Sequence, residues 1–306
     1  MSFQEKEIKA RLKIIGTYFD LDSLLDEKTD KQAVAKYYRK SDFFYNLIHA
    51  RGENSIHLGL SEDGFYHKED FLRQAQFVET LLDKPSMDIL EVGAGKLINT
   101  KYLAKKFPNH HFTALDIPNR NFLKNRAPKN VKLVEGDYND LSIFPEQSFD
   151  IVFGVETICY AESKEKVIGE IAKVLKPGGK LVIFDGYEPK EHKDMSEFEK
   201  RTAAIKWASM RVTSKDHYIG DTRKYLEAHQ YTDIEIADLT EQVKPTLRRL
   251  ERFSCYYFMH PKMIERMRNR ISQDVTMNSI AGWLMPLTYD GENIHQYCRV
   301  VATKGK

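Results

Sequence analysis

The segment MDILEVGAG, residues 87–95, decides the fold, because an apolar run there ends in a glycine-rich turn. The segment INTKYLAKKF, residues 98–107, follows it with helical spacing. Short apolar runs bounded by glycine are typical of buried strands. Glycine lets the backbone turn sharply and approach a ligand at the carboxyl end of such a strand. We therefore predict a strand, a ligand-binding turn and a helix.

The same rhythm continues along the chain. Further apolar runs end in glycine or acidic residues, and helical stretches such as KEKVIGEIAKVL, residues 164–175, separate them. Strand and helix in alternation imply a parallel sheet with both faces covered. We expect an α/β fold, a Rossmann-like, parallel-rich seven-stranded sheet with helices on both faces and a mainly helical cap. The predicted strands after the first are HHFTALDI (110–117), NVKLVEGD (130–137), FDIVFGVE (149–156), GKLVIFDG (179–186), the end of TRKYLEAHQYTDIEIADLT (222–240) and QYCRVVATKG (296–305).

Two predicted helical regions lie outside the core: one precedes it, and the other, residues 240–290, interrupts it. In the second of them we expect a helix opened by Pro245, another opened by Pro261 and a loop around WLMPLTYDG, residues 283–291. The expected organisation is an N-terminal helical cap (1–85), a Rossmann-like core (86–239), a helical lid insertion (240–290) and a final core strand (291–306).

Composition bounds the class of protein. The 306 residues are 42% hydrophobic and 30% charged, as in a globular protein with a sizeable core. Forty-seven basic against 45 acidic residues give a charge of +2, which disfavours a general nucleic-acid binder. The three cysteines are widely spaced, so neither a disulfide framework nor a zinc site is indicated. An N-terminus rich in charge is unlike a signal peptide, and we expect a cytoplasmic protein.

An acidic residue supports a nucleoside site beside the glycine-rich turn. Asp116 ends the second predicted strand 25 positions after Glu91, where a carboxylate can accept hydrogen bonds from both ribose hydroxyls. A dinucleotide site also needs a third small residue in G-x-G-x-x-G, and Ile98 stands at that position. A hydride-transfer cofactor is therefore disfavoured.

Five segments in this order resemble the class I S-adenosylmethionine-dependent methyltransferases: EVGAG (91–95), ALDI (114–117), EGDY (135–138), SFDIVFGVE (148–156) and VLKPGGKLVIFD (174–185). The segments YYRKSDFFY (37–45), IHLG (56–59) and GVETICYAE (154–162) are similar to the branch with sterol, tocopherol and terpenoid methyltransferases, near the glycine and sarcosine enzymes. One departure is that Leu97 replaces the family's third glycine.

The resemblance implies S-adenosylmethionine as cofactor and S-adenosylhomocysteine as product. No set of metal ligands accompanies the candidate residues in the sequence, so we expect no metal. The resemblance also implies that Glu91, Gly93 and Gly95 border the methionine half of the cofactor and that Asp116 binds its ribose. The remaining cofactor residues it implies are Ile117 on the adenine and Asp137 and Tyr138 around the base. Val155 and Tyr37 are further candidate cofactor-binding residues, and a core role is the alternative for Tyr37.

The residues that contact the methyl acceptor are predicted from their side-chain chemistry and from their positions in the sequence. An O–H or N–H acceptor needs a general base, whereas an alkene acceptor gives a carbocation that a carboxylate stabilises. Glu156 serves either scheme, and a structural role or a contact to the donor's amino group stays open. The other candidates, each with a core or structural role as its alternative, are His57 and Tyr38 as catalytic residues and Tyr45, Tyr160 and Trp283 in the acceptor pocket.

The expected partner is a small, hydrophobic molecule, terpenoid, lipid-like or amine, methylated at C, N or O, and no nucleic acid. Alternatives are a non-catalytic S-adenosylmethionine-binding protein and a nucleic-acid methyltransferase, although the N/D-P-P-Y/F tetrapeptide of the latter is missing. Residues 244–270 carry eight Lys or Arg and two acids, a local net of +6. This segment is either a solvated helical face or a weak contact to a membrane surface or an anionic substrate.

Overall fold

The structure, a computed structural model, describes most of the chain. The described residues are 2–26, 57–118, 122–212, 214, 216–268, 273–290 and 294–306.

Strands and helices alternate through the middle of the chain, as the sequence predicts. The strands are β1 (Asp88–Val92), β2 (His111–Asp116), β3 (Val131–Glu135), β4 (Phe149–Val155), β5 (Leu175–Tyr187), β6 (Tyr231–Asp238) and β7 (Gln296–Lys304). The α-helices are α1 (Phe3–Gly16), α2 (Leu21–Asp26), α3 (Arg73–Glu79), α4 (Ile98–Lys106), α5 (Lys164–Val174), α6 (Glu197–Ser209), α7 (Ile219–Ala228), α8 (Thr240–Phe258), α9 (Pro261–Arg268) and α10 (Gln273–Thr288).

In the described part of the chain, seven strands form one sheet in the order β3-β2-β1-β4-β5-β7-β6. The pairs from β3 to β5 are parallel, and β6 and β7 are antiparallel. Successive residues of β4, such as Ile151, Val152 and Phe153, are all fully buried. Because successive side chains point to opposite faces, both faces of this strand are covered. The predicted Rossmann-like α/β fold is confirmed.

Two local predictions around prolines are wrong. Helix α8 begins at Thr240, five residues before the expected start at Pro245, and α10 continues through Pro286 to Thr288 where a loop was expected. Ile280 and Leu284 of α10 are fully buried. Burial of such apolar side chains offsets the hydrogen bond that a proline removes from a helix. The predicted start of a helix at Pro261 is confirmed.

The described contacts divide the chain into two units, which differ from the expected boundaries. The cap unit is Met1–Tyr66, Glu188–Thr213 and Thr240–Gln296, and the sheet unit is His67–Tyr187, Ser214–Leu239 and Tyr297–Lys306. Helix α3 was expected in the N-terminal cap, and α6 in the core. The structure instead groups α3 with the sheet and α6 with the cap.

Each of the two helices makes an aromatic contact inside its own unit. Within the sheet unit, the rings of Phe77 on α3 and Phe184 on β5 meet edge to face at 5.8 Å. Within the cap unit, the Trp207 ring of α6 lies 5.2 Å from the ring of His295. The Trp207 indole N–H also donates to Glu188 Oε1 at 2.8 Å. The half-buried Phe77 and the buried Trp207 therefore make their ring contacts inside the unit to which each helix is assigned.

Candidate active site

The glycine-rich turn connects β1 to α4 in a conformation that favours glycine. Gly93 has φ 65° and Gly95 has φ 52°. A side chain at Gly93 would place its Cβ 2.0 Å from Thr157 Oγ1. Gly93 is therefore required both by its backbone conformation and by the packing of Thr157.

Leu97 has a left-handed backbone conformation. A glycine stands at this position in the family that the sequence resembles, and glycine favours that conformation. Leu97 has φ 64° immediately before α4, and its side chain is fully buried. It packs in a cluster with Ala94, Ala114 and Phe122. A left-handed non-glycine residue costs about 1–3 kcal/mol, which burial of the leucine side chain offsets. The departure from the motif therefore leaves the glycine-like backbone intact.

Glu91 is buried beneath the turn and binds the first turn of α4. One carboxylate oxygen accepts from Asn99 Nδ2 at 3.1 Å, and the other accepts from the Thr100 N–H at 3.1 Å and from the Thr100 hydroxyl. Burial raises the pKa of Glu91 to about 7 despite these hydrogen bonds. Glu91, a predicted site residue, therefore links β1 to the first turn of α4 through hydrogen bonds.

Asp116 connects the end of β2 to the glycine-rich turn. Its carboxylate accepts from the Gly95 N–H at 2.6 Å and from the Ile117 N–H at 2.8 Å. Asp116 is buried and Ile117 is half-buried. In the parallel register, Val92 of β1 lies opposite Leu115 of β2, so both strands end at the same edge of the sheet. The three predicted residues Gly95, Asp116 and Ile117 are therefore brought together.

Asp137 and Tyr138, the two residues predicted to contact the base, lie in different environments after β3. Asp137 is half-buried, and its Oδ1 accepts from Asn139 N and Nδ2 at 2.9 and 2.6 Å. Tyr138 is buried in the main core, where its hydroxyl donates to the Thr157 carbonyl at 2.9 Å. Burial raises the pKa of the Tyr138 phenol above its usual range. Asp137 thus lies at the strand edge, while Tyr138 supports the loop after β4.

Glu156 follows β4 in a left-handed conformation, with φ 48°. Its N–H donates to the Phe184 carbonyl at 2.7 Å, and its Oε1 accepts from the Tyr297 hydroxyl at 3.0 Å. Gln74 Nε2 in turn donates to the Tyr297 hydroxyl at 3.5 Å. Tyr297 and Gln74, 223 positions apart in the chain, have no local signal in the sequence.

Another buried carboxylate holds the loop that carries Glu156. Asp185 accepts from the Cys159 N–H and from its neighbour, the Gly186 N–H, both at 2.8 Å. Burial raises the pKa of both Asp185 and the Cys159 thiol. Cys159 is therefore a packing residue rather than a thiolate nucleophile. Asp185 is not among the site residues predicted from the sequence, although an acidic residue at a strand's carboxyl end is a usable signal.

The remaining predicted residues lie in different places. Val155 is the buried last residue of β4, and Tyr160 is half-buried on the same loop as Glu156. His57 is buried in the cap unit. Trp283, also in the cap unit, stacks on Phe258 with ring centroids 4.7 Å apart. The predicted residues outside the described part of the chain are Tyr37, Tyr38 and Tyr45.

Among the described residues, no group of three or more His, Cys, Asp or Glu side chains is arranged to hold a metal ion. None of the helices in the described ranges has the length and apolar character needed to cross a bilayer.

The family model described as "Methyltransferase domain" matches residues 90–183, the part that contains the turn, Asp116 and Glu156. The resemblance predicted from the sequence is confirmed there, and this segment is a methyltransferase domain.

A sterol 24-C-methyltransferase of Neurospora crassa is 34% identical over 128 residues, which are 37% of this chain and 33% of that protein. Phosphoethanolamine N-methyltransferase 1 of Arabidopsis thaliana is 28% identical over 57% of this chain and 34% of that protein. The chain spans about a third to a half of the curated relatives it matches. The crystal structure of the [4+2]-cyclase SpnF matches with a TM-score of 0.69 at 18% identity, covering 90% of this chain and 97% of that one, and so shares the fold.

Proposed function

We propose that the protein, which carries a methyltransferase domain over residues 90–183, transfers a methyl group from S-adenosylmethionine to a small, hydrophobic acceptor. The acceptor is terpenoid, lipid-like or an amine, and the reacting atom is C, N or O. The observation that carries the proposal is the contact between Asp116 and Gly95 at the carboxyl edge of the parallel strands. Ligands of open α/β sheets bind at this edge.

The donor set fits the nucleoside half of the cofactor. The Asp116 carboxylate lies beside the Gly95 N–H at the edge where open α/β sheets bind ligands. An ionised carboxylate accepts hydrogen bonds and donates none, which suits the two hydroxyl donors of a ribose. The turn at Gly93 and Gly95 keeps side chains out of the path of the methionine half, while Ile117 presents a half-buried apolar surface for the adenine.

Glu156 is the proposed acceptor-side catalytic residue. When bound, S-adenosylmethionine supplies an activated methyl group on a sulfonium, so the protein chiefly aligns the reactants. The hydrogen bond from Tyr297 and the backbone bond to Phe184 hold Glu156 in one orientation. So held, its carboxylate either accepts a proton from an O–H or N–H acceptor or stabilises a carbocation formed on an alkene.

The names of the relatives support a small acceptor. They include enzymes of sterol C-methylation, phosphoethanolamine N-methylation and fatty-acid O-methylation. Since SpnF has the same fold and is described as a cyclase, binding of the cofactor and transfer of its methyl group must be tested separately.

Calorimetry with S-adenosylmethionine, S-adenosylhomocysteine and NAD tests the donor site. We expect saturable binding of the first two and none of NAD. Asp116→Ala is expected to weaken binding by about 1.5–3 kcal/mol, because it removes a charged acceptor, whereas the exposed Asp83→Ala is the matched control. Unchanged affinity in a folded Asp116→Ala protein contradicts the donor site.

Methyl transfer is tested with labelled S-adenosylmethionine and a panel of sterols, terpenoids, fatty acids and amines. Label in an acceptor supports the proposal. Tight cofactor binding without transfer to any of these, but with conversion of the acceptor, would favour cyclase-like chemistry.

A further inference from the structure

The end of α8 and the start of α9 present an exposed face that mixes cations with large apolar side chains. Three apolar residues on it are Phe253, Tyr256 and Met259, which are 39%, 57% and 59% exposed. Exposed apolar side chains are common singly, but a run of them on one surface indicates an interaction site.

The cations of this face flank the apolar residues on both sides. Arg248 and Arg252 precede them, and Lys262 and Arg266 follow them, all exposed. Residues 248, 252 and 256 recur at a spacing of four, so they form one stripe along α8. Met259 follows in the turn after the helix ends at Phe258. We call the seven residues the basic-aromatic face: Arg248, Arg252, Phe253, Tyr256, Met259, Lys262 and Arg266.

Acidic residues do little to neutralise the face. Between residues 248 and 266, Glu265 is exposed, while Glu251 is half-buried and bonded to Arg11 Nη1 at 2.7 Å. The guanidinium of Arg249 lies 5.6 Å from the Phe253 ring, on the side where it also meets Tyr66 at 4.8 Å. The ring of Phe253 is thus held by a cation.

The remaining side chains of α8 show that the face is not a part of the core. Leu247, Tyr257 and Phe258 of the same helix are buried in the cap unit. The helix therefore satisfies its packing with one side, and the basic-aromatic face is a second, separate apolar surface.

We infer that the basic-aromatic face docks the protein on a bilayer surface with anionic headgroups. Interfacial helices combine cations, which attract anionic lipid, with aromatic and apolar side chains that enter the headgroup region. Docking of this kind does not depend on the methyl-transfer reaction.

Two other occupants fit the face less well. In a symmetric dimer the same patch meets itself, so four exposed cations of one copy would face four of the other. Single-stranded nucleic acid is bound by cations together with rings that stack on bases, and the exposed Met259 offers no ring. The whole chain also carries a charge of only +2.

Co-sedimentation with vesicles tests the inference. We expect the full chain to bind vesicles in which about a third of the lipid is phosphatidylserine, and not vesicles of phosphatidylcholine alone, with binding that falls at high salt. The triple variant F253S/Y256S/M259S and the double variant R248E/R252E should each bind these vesicles at least about tenfold more weakly than the parent.

Matched controls lie on α1, where Phe3, Lys6 and Lys13 are exposed. F3S removes an exposed ring, and K6E/K13E makes the same change in charge as the arginine variant, so both should bind like the parent. Far-UV circular dichroism and thermal unfolding establish that each variant is folded.

A direct readout protects the test against indirect effects of the substitutions. The two natural tryptophans, Trp207 and Trp283, are buried. Fluorescence added by Tyr256→Trp should shift to the blue on anionic vesicles and be quenched by brominated lipid.

Any one of three results overturns the inference: the parent fails to sediment with anionic vesicles, the triple variant binds as well as the α1 controls, or the Tyr256→Trp spectrum stays unshifted on the vesicles. Two further arms identify another occupant: labelled RNA bound by the parent but not by R248E/R252E, or a concentration-dependent dimer lost in the triple variant, in either case without vesicle binding.

Discussion

At the scale of single residues, the chain of hydrogen bonds from Gln74 through Tyr297 to Glu156 explains how one carboxylate is oriented. Glu156 has a left-handed backbone and a side chain held from a strand 141 positions away. Such a conformation costs about 1–3 kcal/mol in a non-glycine residue. Strain of this kind at a loop beside a ligand edge agrees with the proposed catalytic role.

The first prediction concerns Tyr297 as a positioning residue. Tyr297→Phe removes the donor to Glu156, so we expect kcat to fall about tenfold with KM and cofactor affinity nearly unchanged. Steady-state kinetics with calorimetry measure this. Tyr231→Phe is the control, because it removes another buried hydroxyl, bonded to the Ile168 carbonyl at 3.4 Å. Equal kcat in both variants means that Tyr297 only packs.

The second prediction follows from the buried carboxyl of Glu91. Burial raises its pKa to about 7 from 4.5 in an unfolded chain. The protonated form is therefore favoured by folding, and stability is full below pH 4.5 and declines as pH rises through 7. The decline is roughly 3 kcal/mol by linkage.

Glu91→Gln removes this ionisation while keeping the shape of the side chain. We expect the variant to match the parent near pH 4, below the unfolded value of 4.5, and to be more stable by roughly 3 kcal/mol near pH 9. Urea unfolding across that range measures the difference. Parallel curves for the two proteins would show that Glu91 is ionised throughout.

At the scale of elements, an ion cluster joins the amino ends of β1 and β4 at the edge opposite the site. Asp150 accepts from the Asp88 N–H at 3.0 Å and pairs with Lys176 and Lys84 at 2.7 and 2.6 Å. Burial raises the pKa of Asp150, but these three donors outweigh it and hold the pKa at about 2. The charged form thus stabilises the start of both central strands.

The third prediction concerns this cluster in acid. A depressed pKa means that the stabilisation is present above pH 3.8 and is lost as pH falls through about 2. Asp150→Asn should therefore lose about 2 kcal/mol at pH 7 and lose much less near pH 2. Guanidinium unfolding at both pH values measures the loss, and the exposed Asp83→Asn is the control. A loss of equal size at both pH values would assign it to packing.

At the scale of the whole molecule, neither unit is a continuous stretch of chain. Three segments of the cap unit alternate with three segments of the sheet unit, so the chain passes between the units five times. Neither unit can therefore be cut out without breaking the other. We expect the two units to unfold in one cooperative step.

The fourth prediction uses the positions of the tryptophans. Both lie in the cap unit, whereas the proposed cofactor site lies in the sheet unit. S-adenosylmethionine at a hundredfold excess over Kd adds about 2.7 kcal/mol to stability, which raises Tm by about 4 °C for a chain of this size. The same shift should be seen by tryptophan fluorescence and by circular dichroism. A shift in circular dichroism alone would show that the units unfold separately.

Local patterns determine the sheet and the donor edge of this protein. The apolar runs ending in Gly93, Asp116 and Glu156 are short, and parallel strands bring their carboxyl ends to one edge. Those positions could therefore be predicted from the sequence. The resemblance to methyltransferases rests on the same local segments, which the family model also matches.

Tertiary structure decides what no local pattern encodes. Tyr297 reaches Glu156 only because β7 is placed beside β5, and its place in the sheet is set by long-range strand pairing. Helices α8 and α10 pass through Pro245 and Pro286 because burial of their apolar faces outweighs local preference. Tyr138 carries a motif that suggests a ligand contact, yet its ring is buried in the core. Side-chain direction and long-range packing depend on the whole fold, and a linear pattern determines neither.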